Sequence, residues 1–279
     1  VYPPMTLGKE VIDKLIENTT KIAKELNTIG LINIQYVYDG KDVYVIEVNP
    51  RASRTVPILS KVTGVPMVKL AVESMLGKKL KDLGYGVGLR ENNNLHAVKI
   101  PVFSTEKLGD VDTYLGPEMK STGEVLGVDF DLNNAVYKGF RASGLNMPTS
   151  GGMYVSLRDV DKEEGKELVE QYIELGFKLY GSLGTSEYLN SQGIDCEPIK
   201  LTKIEEKIAN KKIDLIINTP TKGNDKERRG FRLRRKASEH RTPIFTSIDT
   251  AKLFLAAINI KKNNEKVEYR TMSGYFKNK

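Results

Sequence analysis

The sequence predicts an α/β chain in two parts: an α+β part built on an antiparallel sheet, then a parallel, Rossmann-like sheet covered by helices. Three observations carry that expectation. The runs 31–38 and 43–49 read as strands joined through Asp39-Gly40, a hairpin signal. After the linker-like stretch from Pro148 to Gly152, strand and helix patterns alternate, which favours parallel pairing. Within that second part, Ile213-Asp214-Leu215-Ile216-Ile217-Asn218 is a nearly continuous apolar run, as in a strand buried on both faces. The domain boundary is expected there, dividing 1–147 from 148–279.

In chain order, Thr6 is placed to cap a helix from about Leu7 to Asn27, with Val11, Leu15, Ile22 and Leu26 on one face. The hairpin follows. Pro66 opens a second helix through Leu76, whose stripe of Val68, Val72, Met75 and Leu76 is expected in the core, and Gly77 closes it. Residues 78–94 read as loop, 97–103 as a strand, and Leu132 to Ser143 as a helix ended by Gly144. In the second part, strands are expected at 153–157, 177–180, 194–201, 213–218 and 243–246. Helices are expected at 162–175, 186–191, 230–239 and 249–260, the last capped by Ser247.

Composition narrows the partners. Hydrophobic content of 39% and charged content of 28% belong to a globular protein. No apolar run approaches the roughly 20 residues of a membrane span, and no signal peptide opens the chain, so no membrane is expected and the compartment is expected to be the cytoplasm. The single cysteine, Cys196, excludes an internal disulfide and reads as structural. The net charge is +7, with the densest basic run at Lys222–Lys236. No aromatic stacking platform or zinc-ligand spacing accompanies it, so nucleic acid is not the expected partner.

The chemistry concentrates in Val43-Tyr44-Val45-Ile46-Glu47-Val48-Asn49-Pro50-Arg51-Ala52-Ser53-Arg54. Side chains alternate along a strand, so Glu47 and Asn49 share a face, with Val45 expected below them. A carboxylate and a neutral carbonyl on one face suit magnesium, which takes one or two protein oxygens and completes its shell with water and phosphates. Arg51 and Arg54 stand three apart on the following turn, where two guanidinium forks match one small anion. Metal and arginines together describe phosphoryl transfer, which rests on placement and charge neutralisation. Two loops of the second part have phosphate chemistry as well. Gly181-Ser182-Leu183-Gly184-Thr185 offers N–H groups and hydroxyls at a helix start, and Asn218-Thr219-Pro220-Thr221-Lys222-Gly223 offers amide, hydroxyl and ammonium, with Lys162 and Lys200 placed to close the pocket.

The runs Gly30-Leu31-Ile32-Asn33-Ile34-Gln35-Tyr36, Ile46-Glu47-Val48-Asn49-Pro50-Arg51-Ala52-Ser53-Arg54-Thr55-Val56-Pro57 and Ser60-Lys61-Val62-Thr63-Gly64-Val65-Pro66 resemble an ATP-grasp active site. More narrowly they are similar to the second ATP-grasp half of carbamoyl-phosphate synthetase large subunits, and the resemblance extends over nearly the whole chain. It implies that Gln35, Glu47 and Asn49 hold magnesium or manganese beside ATP, and that Arg51 and Arg54 contact the transferred phosphoryl group and carbamate. It implies a methylglyoxal-synthase-like (MGS-like) domain after the linker, which binds a nucleotide monophosphate effector. The matching positions there are Lys162, Ser182, Thr185, Lys200, Asn218 and Thr219. Pro220 departs from the family threonine, Lys222-Gly223-Asn224 replaces a glycine-arginine-arginine, and Ile100 stands where some relatives carry a glutamate for an amino-acid effector, so a nucleotide is favoured over ornithine. Implied partners are the amino-terminal part of the large subunit and a glutamine amidotransferase small subunit, in arginine and pyrimidine biosynthesis.

That resemblance sets a geometric condition. A strict two-residue turn at Asp39-Gly40 pairs Gln35 with Tyr44, on the face away from Glu47. An odd loop or a bulge is therefore expected. Because the sequence opens on Val1, close before a helix of an unfinished domain, the chain is expected to be a fragment, silent in catalysis by itself. The alternatives are a free-standing nucleotide-binding module and a different ATP-grasp carboxylate–amine ligase.

Overall fold

The computed structural model describes residues 1–90, 94–104, 119–220 and 229–276. They fall into two compact units, Val1–Ala97 with Glu268–Lys279, and Val98–Val267.

In the first unit, α1 (Lys9–Glu25) starts at Gly8 without a side-chain cap, so Thr6 does not serve as one. The strands β1 (Asn33–Tyr38) and β2 (Val43–Asn49) form an antiparallel pair. Their loop has four residues, because the Asp39 carboxylate accepts from the N–H groups of Lys41 (2.9 Å) and Asp42 (2.7 Å) and bends the chain around itself. Two short helices follow, α2 (Thr55–Thr63) and α3 (Met67–Met75). The first stands where no helix was expected. The α3 stripe is also not core: Leu76 is 75% and Met75 63% exposed, Val68 and Val72 are exposed too, and Ala71 is the buried residue of that helix. Among the described residues, the buried apolar side chains of this unit are Val56, Val62, Ala71, Leu95, Ala97 and Tyr275. That is thin for about a hundred residues, since a self-sufficient domain of this size buries well over half of its surface. Among the described residues no single helix is long and apolar enough to cross a membrane, and α2 and α3, apolar together, meet at a 108° bend.

The second unit starts within β3 (His96–Val102), at Val98; β3 pairs with β4 (Gly123–Asp129) in a two-stranded sheet, and the helix α4 (Leu132–Ala142) follows, its Asp131 cap accepting from Asn134 N–H. Then come β5 (Gly151–Ser156), α5 (Lys162–Glu174), β6 (Phe177–Gly181), α6 (Leu183–Ser191), β7 (Glu197–Pro198) and α7 (Leu201–Ala209). β8 (Leu215–Asn218), α8 (Arg229–Glu239), β9 (Ile244–Phe245) and α9 (Ile248–Lys262) complete it. The strand expected over 194–201 shrinks to two residues, and Leu201 already belongs to α7. All pairings in the five-stranded sheet are parallel, in the order β7-β6-β5-β8-β9.

Alternating side chains divide the sheet's two faces. Met153, Val155, Leu179, Leu215 and Ile217 pack with Leu168, Tyr172 and Phe254 from α5 and α9, while Tyr154, Tyr180 and Ile216 pack with Ile204, Ile208, Leu233 and Ala237 from α7 and α8. Burial on both faces is what the unbroken apolar run of β8 requires. The helix α4 joins the first of these layers: Phe140 stands edge-on to Phe254 (5.2 Å) and Phe245 (6.2 Å). The boundary expected at 147/148 therefore lies inside a compact unit, and the division by packing falls between Ala97 and Val98.

Candidate functional site

The hairpin meets the condition set by its sequence. From Tyr38–Val43 the register runs regularly to Tyr36–Val45, then shifts: Ile46 is left over, and Gln35 stands opposite Glu47, Ile34 opposite Val48, and Asn33 opposite Asn49. Residues directly opposite one another point to the same side, so the bulge brings Gln35 onto the face of Glu47 and Asn49. It also turns Val45 to the other face, contrary to the alternation expected from β2 alone. That other face carries Tyr36, whose hydroxyl meets Thr19 of α1 at 2.8 Å. The helix α1 meets that side, opposite to the polar side of Asn33, Gln35, Glu47 and Asn49. Asn33 was passed over in the sequence, although the alternation that selects Gln35 selects it too.

The donor set fits a hard divalent cation that also touches phosphates. Asn49 Nδ2 donates to Glu47 Oε1 at 2.5 Å, a bond that uses neither the Asn49 carbonyl oxygen nor Glu47 Oε2. Gln35 and Glu47 are exposed and Asn49 half-buried. Among the described residues no group of three His, Cys, Asp or Glu side chains forms a metal cage. One carboxylate with two amides instead suits an ion that keeps water and phosphate oxygens in its shell. Arg51 and Arg54 are both exposed; Arg51 Nη1 donates to Ala52 O at 3.0 Å, and Arg54 occupies the N-cap position of α2.

In the second unit, the chain leaves β5 for β6 on one side and returns to β8 on the other, so the crevice of the sheet opens where β5 and β8 end together at Ser156 and Asn218. A cavity of about 1260 Å³ lies there. Of the six effector positions, Ser182, Lys200, Asn218 and Thr219 line it. Thr185 sits beneath, fully buried, with its Oγ1 accepting from Leu157 N–H and from Ser182 Oγ–H, both at 3.0 Å. It shapes the loop rather than facing the cavity. Lys162 is not part of the lining: its ammonium pairs with Asp159 at 2.7 Å, one turn earlier, and lies 5.7 Å over the Tyr188 ring. Thr221, Lys222, Gly223 and Asn224 lie outside the described residues.

Three arginines line the same cavity, and the sequence reading gave none of them this place. Arg158 N–H donates to Thr219 Oγ1 (2.8 Å), and its guanidinium grips Asp161 at 2.6 and 2.7 Å. That guanidinium holds the Asp161 carboxyl below the usual carboxylate range, against a smaller upward push from burial, with the Thr219 hydroxyl adding to the lowering. Arg232 pairs with Glu205 of α7 at 2.8 Å. Arg234 is only 6% exposed and donates from Nη1 to Asn218 Oδ1 at 3.0 Å. No carboxylate stands in the described lining, which with Lys200 holds four cations. Such a cavity attracts an anion. The signal in the sequence was helical spacing: Gly230 and Arg234 share a face, next to the buried positions Leu233 and Ala237. Cys196 is the structural residue expected, buried, its thiol pushed up by burial and 3.2 Å from Ser186 Oγ.

Comparison with known proteins gives two family matches. Residues 1–83 match the family model described as carbamoyl-phosphate synthase L chain, ATP binding domain, and residues 164–246 match the MGS-like domain. The carbamoyl phosphate synthase large chain of Clostridium acetobutylicum is 60% identical over 99% of this chain. The chain belongs to the carbamoyl phosphate synthase large-chain family. The large chain of Caldanaerobacter subterraneus subsp. tengcongensis is 47% identical over 99% of the chain, and that of Lachnoclostridium phytofermentans 44% over 92%. The chain spans about a quarter of these relatives, 26%, 26% and 25% of their lengths. The expected fold class holds: part of an ATP-grasp domain with its antiparallel pair, then an MGS-like domain on a parallel sheet. Neither family model reaches residues 84–163.

Proposed function

We propose that the chain is the carboxy-terminal part of a carbamoyl phosphate synthase large chain, in which the first unit helps to phosphorylate carbamate with ATP and the second binds a regulatory nucleotide monophosphate. The observation that carries this reading is the bulge at Ile46, which sets Gln35 opposite Glu47. Gln35, Glu47 and Asn49 hold magnesium or manganese; when bound, the ion neutralises charge on the ATP phosphates. Arg51 swings from its Ala52 contact to join Arg54 on the phosphoryl group and carbamate, both being exposed and so cheap to reorient. The bonds Asn49–Glu47 and Asp39–Asp42 keep the ligand strand in place before the nucleotide arrives.

In the second unit, Ser182, Lys200, Asn218 and Thr219 take the phosphate end of the effector, and Lys162 joins them by leaving Asp159. Regulation follows if the effector binds one conformational state more tightly than another. The remaining partners are the upstream part of the same polypeptide, which brings the rest of the ATP site, and a glutamine amidotransferase small subunit, all in the cytoplasm. The thin core of the first unit and the exposed stripe of α3 support an upstream partner. The chain by itself is then silent.

The test is Glu47→Gln in the complete large chain, assayed for carbamoyl phosphate formation from ATP and carbamate. Loss on the order of 10²-fold or more is expected, as for removal of a charge-stabilising group. Unchanged turnover, or ADP formation from these substrates by the 279-residue chain alone, contradicts the reading.

A further inference from the structure

Asn218 lines the cavity, and the orientation of its amide is fixed by its neighbour. A guanidinium has donors only, so the 3.0 Å contact from Arg234 Nη1 must end on the amide oxygen. The amide nitrogen is thereby turned away from Arg234, toward Ser156 O at 3.4 Å, a long contact, and Ser156 lines the cavity as Asn218 does. Both partners are buried, Asn218 at 5% and Arg234 at 6% exposure, so the pair has little room to rearrange. Gly230 keeps that room: a methyl group there meets Arg234 Nη1 at 2.9 Å and Asn218 Oδ1 at 3.6 Å.

We infer that Arg234 is a positioning residue of the effector site. Its bond to the Asn218 oxygen commits the amide to present N–H donors, which makes the floor of the cavity select acceptor-only groups, the oxygens of a phosphate monoester, over ligands that bring donors. The inference rests on the effector site proposed above, and deepens it by saying how one contact acquires its polarity. Arg234 acts through Asn218, so the two side chains behave as one unit.

That coupling is measurable with the 279-residue chain, using calorimetry with uridine monophosphate and inorganic phosphate, on Asn218→Ala, Arg234→Met and the double variant. Each single change is expected to weaken binding about tenfold, the worth of one charge-assisted hydrogen bond, and the double change no more than either alone. The side-chain amide signal of Asn218, assigned by its absence in Asn218→Ala, is expected to move with phosphate in the unaltered chain and to stay put in Arg234→Met. Should Arg234→Met not fold, Gly230→Ala displaces the guanidinium instead and carries the same expectation in both backgrounds. Losses that multiply to about a hundredfold, or an Asn218 amide that ignores bound phosphate, overturn the inference while leaving the effector site standing. No binding of either probe to the unaltered chain overturns the effector site and the inference with it.

Discussion

Lys138 is a buried ammonium, 8% exposed, held by Asp129 Oδ2 at 2.5 Å and Val128 O at 3.2 Å. Burial pushes the Asp129 carboxyl up, but the Lys138 ammonium and the N–H groups of Asp131 and Phe130 outweigh it, so its net position lies below the ordinary range. A carboxyl lowered in the folded state contributes stability above its unfolded pKa, about 4, and that stability is lost as pH falls through the folded value. Lys138→Met is expected to cost about 2–4 kcal/mol near neutral pH, because it leaves the half-buried Asp129 carboxylate without its counter-charge. It is also expected to flatten the fall in stability below about pH 4, read by urea unfolding across pH. A parallel pair of curves would remove the ion pair from the account. At this scale Glu47 and Asn49 were legible because strand alternation alone puts them together. Gln35 was legible only with a bulge added, and Arg234 was not, because a basic run reads as solvated surface until its helix is seen to bury one face.

Elements were legible where the pattern had one period and a clear stop. α1, α4, α5 and α9 follow their apolar spacing, and Ser247 caps α9 by accepting from Thr250 N–H at 3.2 Å. α2 was missed because Pro57 in its first turn resembles a loop signal, although proline is tolerated there. The α3 stripe has a regular helical period, yet Val68, Val72, Met75 and Leu76 are exposed in this chain, so periodicity gave the helix and not its surroundings. β4 and α4 meet backbone to backbone: a Cβ on Gly127 meets Ala135 O at 2.0 Å and Gly139 N at 2.5 Å, neither of which can yield without moving the helix. Gly127→Ala is therefore expected to destabilise the second unit by about 2 kcal/mol or more, seen as a drop in its unfolding midpoint. An unchanged midpoint would mean that this crossing is looser than described.

For the whole molecule, the expected class and order of parts hold, and the division by packing falls between Ala97 and Val98. Composition marks a turn in the chain and is silent about Phe140 reaching Phe254, or about Lys261 Nζ donating to Met147 O at 2.6 Å across more than a hundred residues. What sequence conveys best here is chemistry carried by a short strand; what it conveys least is which helix faces find partners inside this chain.

The account turns on three side chains of one hairpin sharing a cation. Titrating Mn²⁺ with ATP into the ¹⁵N-labelled 279-residue chain, and following the side-chain amide signals of Gln35 and Asn49, tests it directly. Both signals are expected to broaden together at the same metal concentration, and to keep their intensity when Glu47 is changed to Gln. Broadening of only one of them, or of both regardless of Glu47, would contradict a shared site.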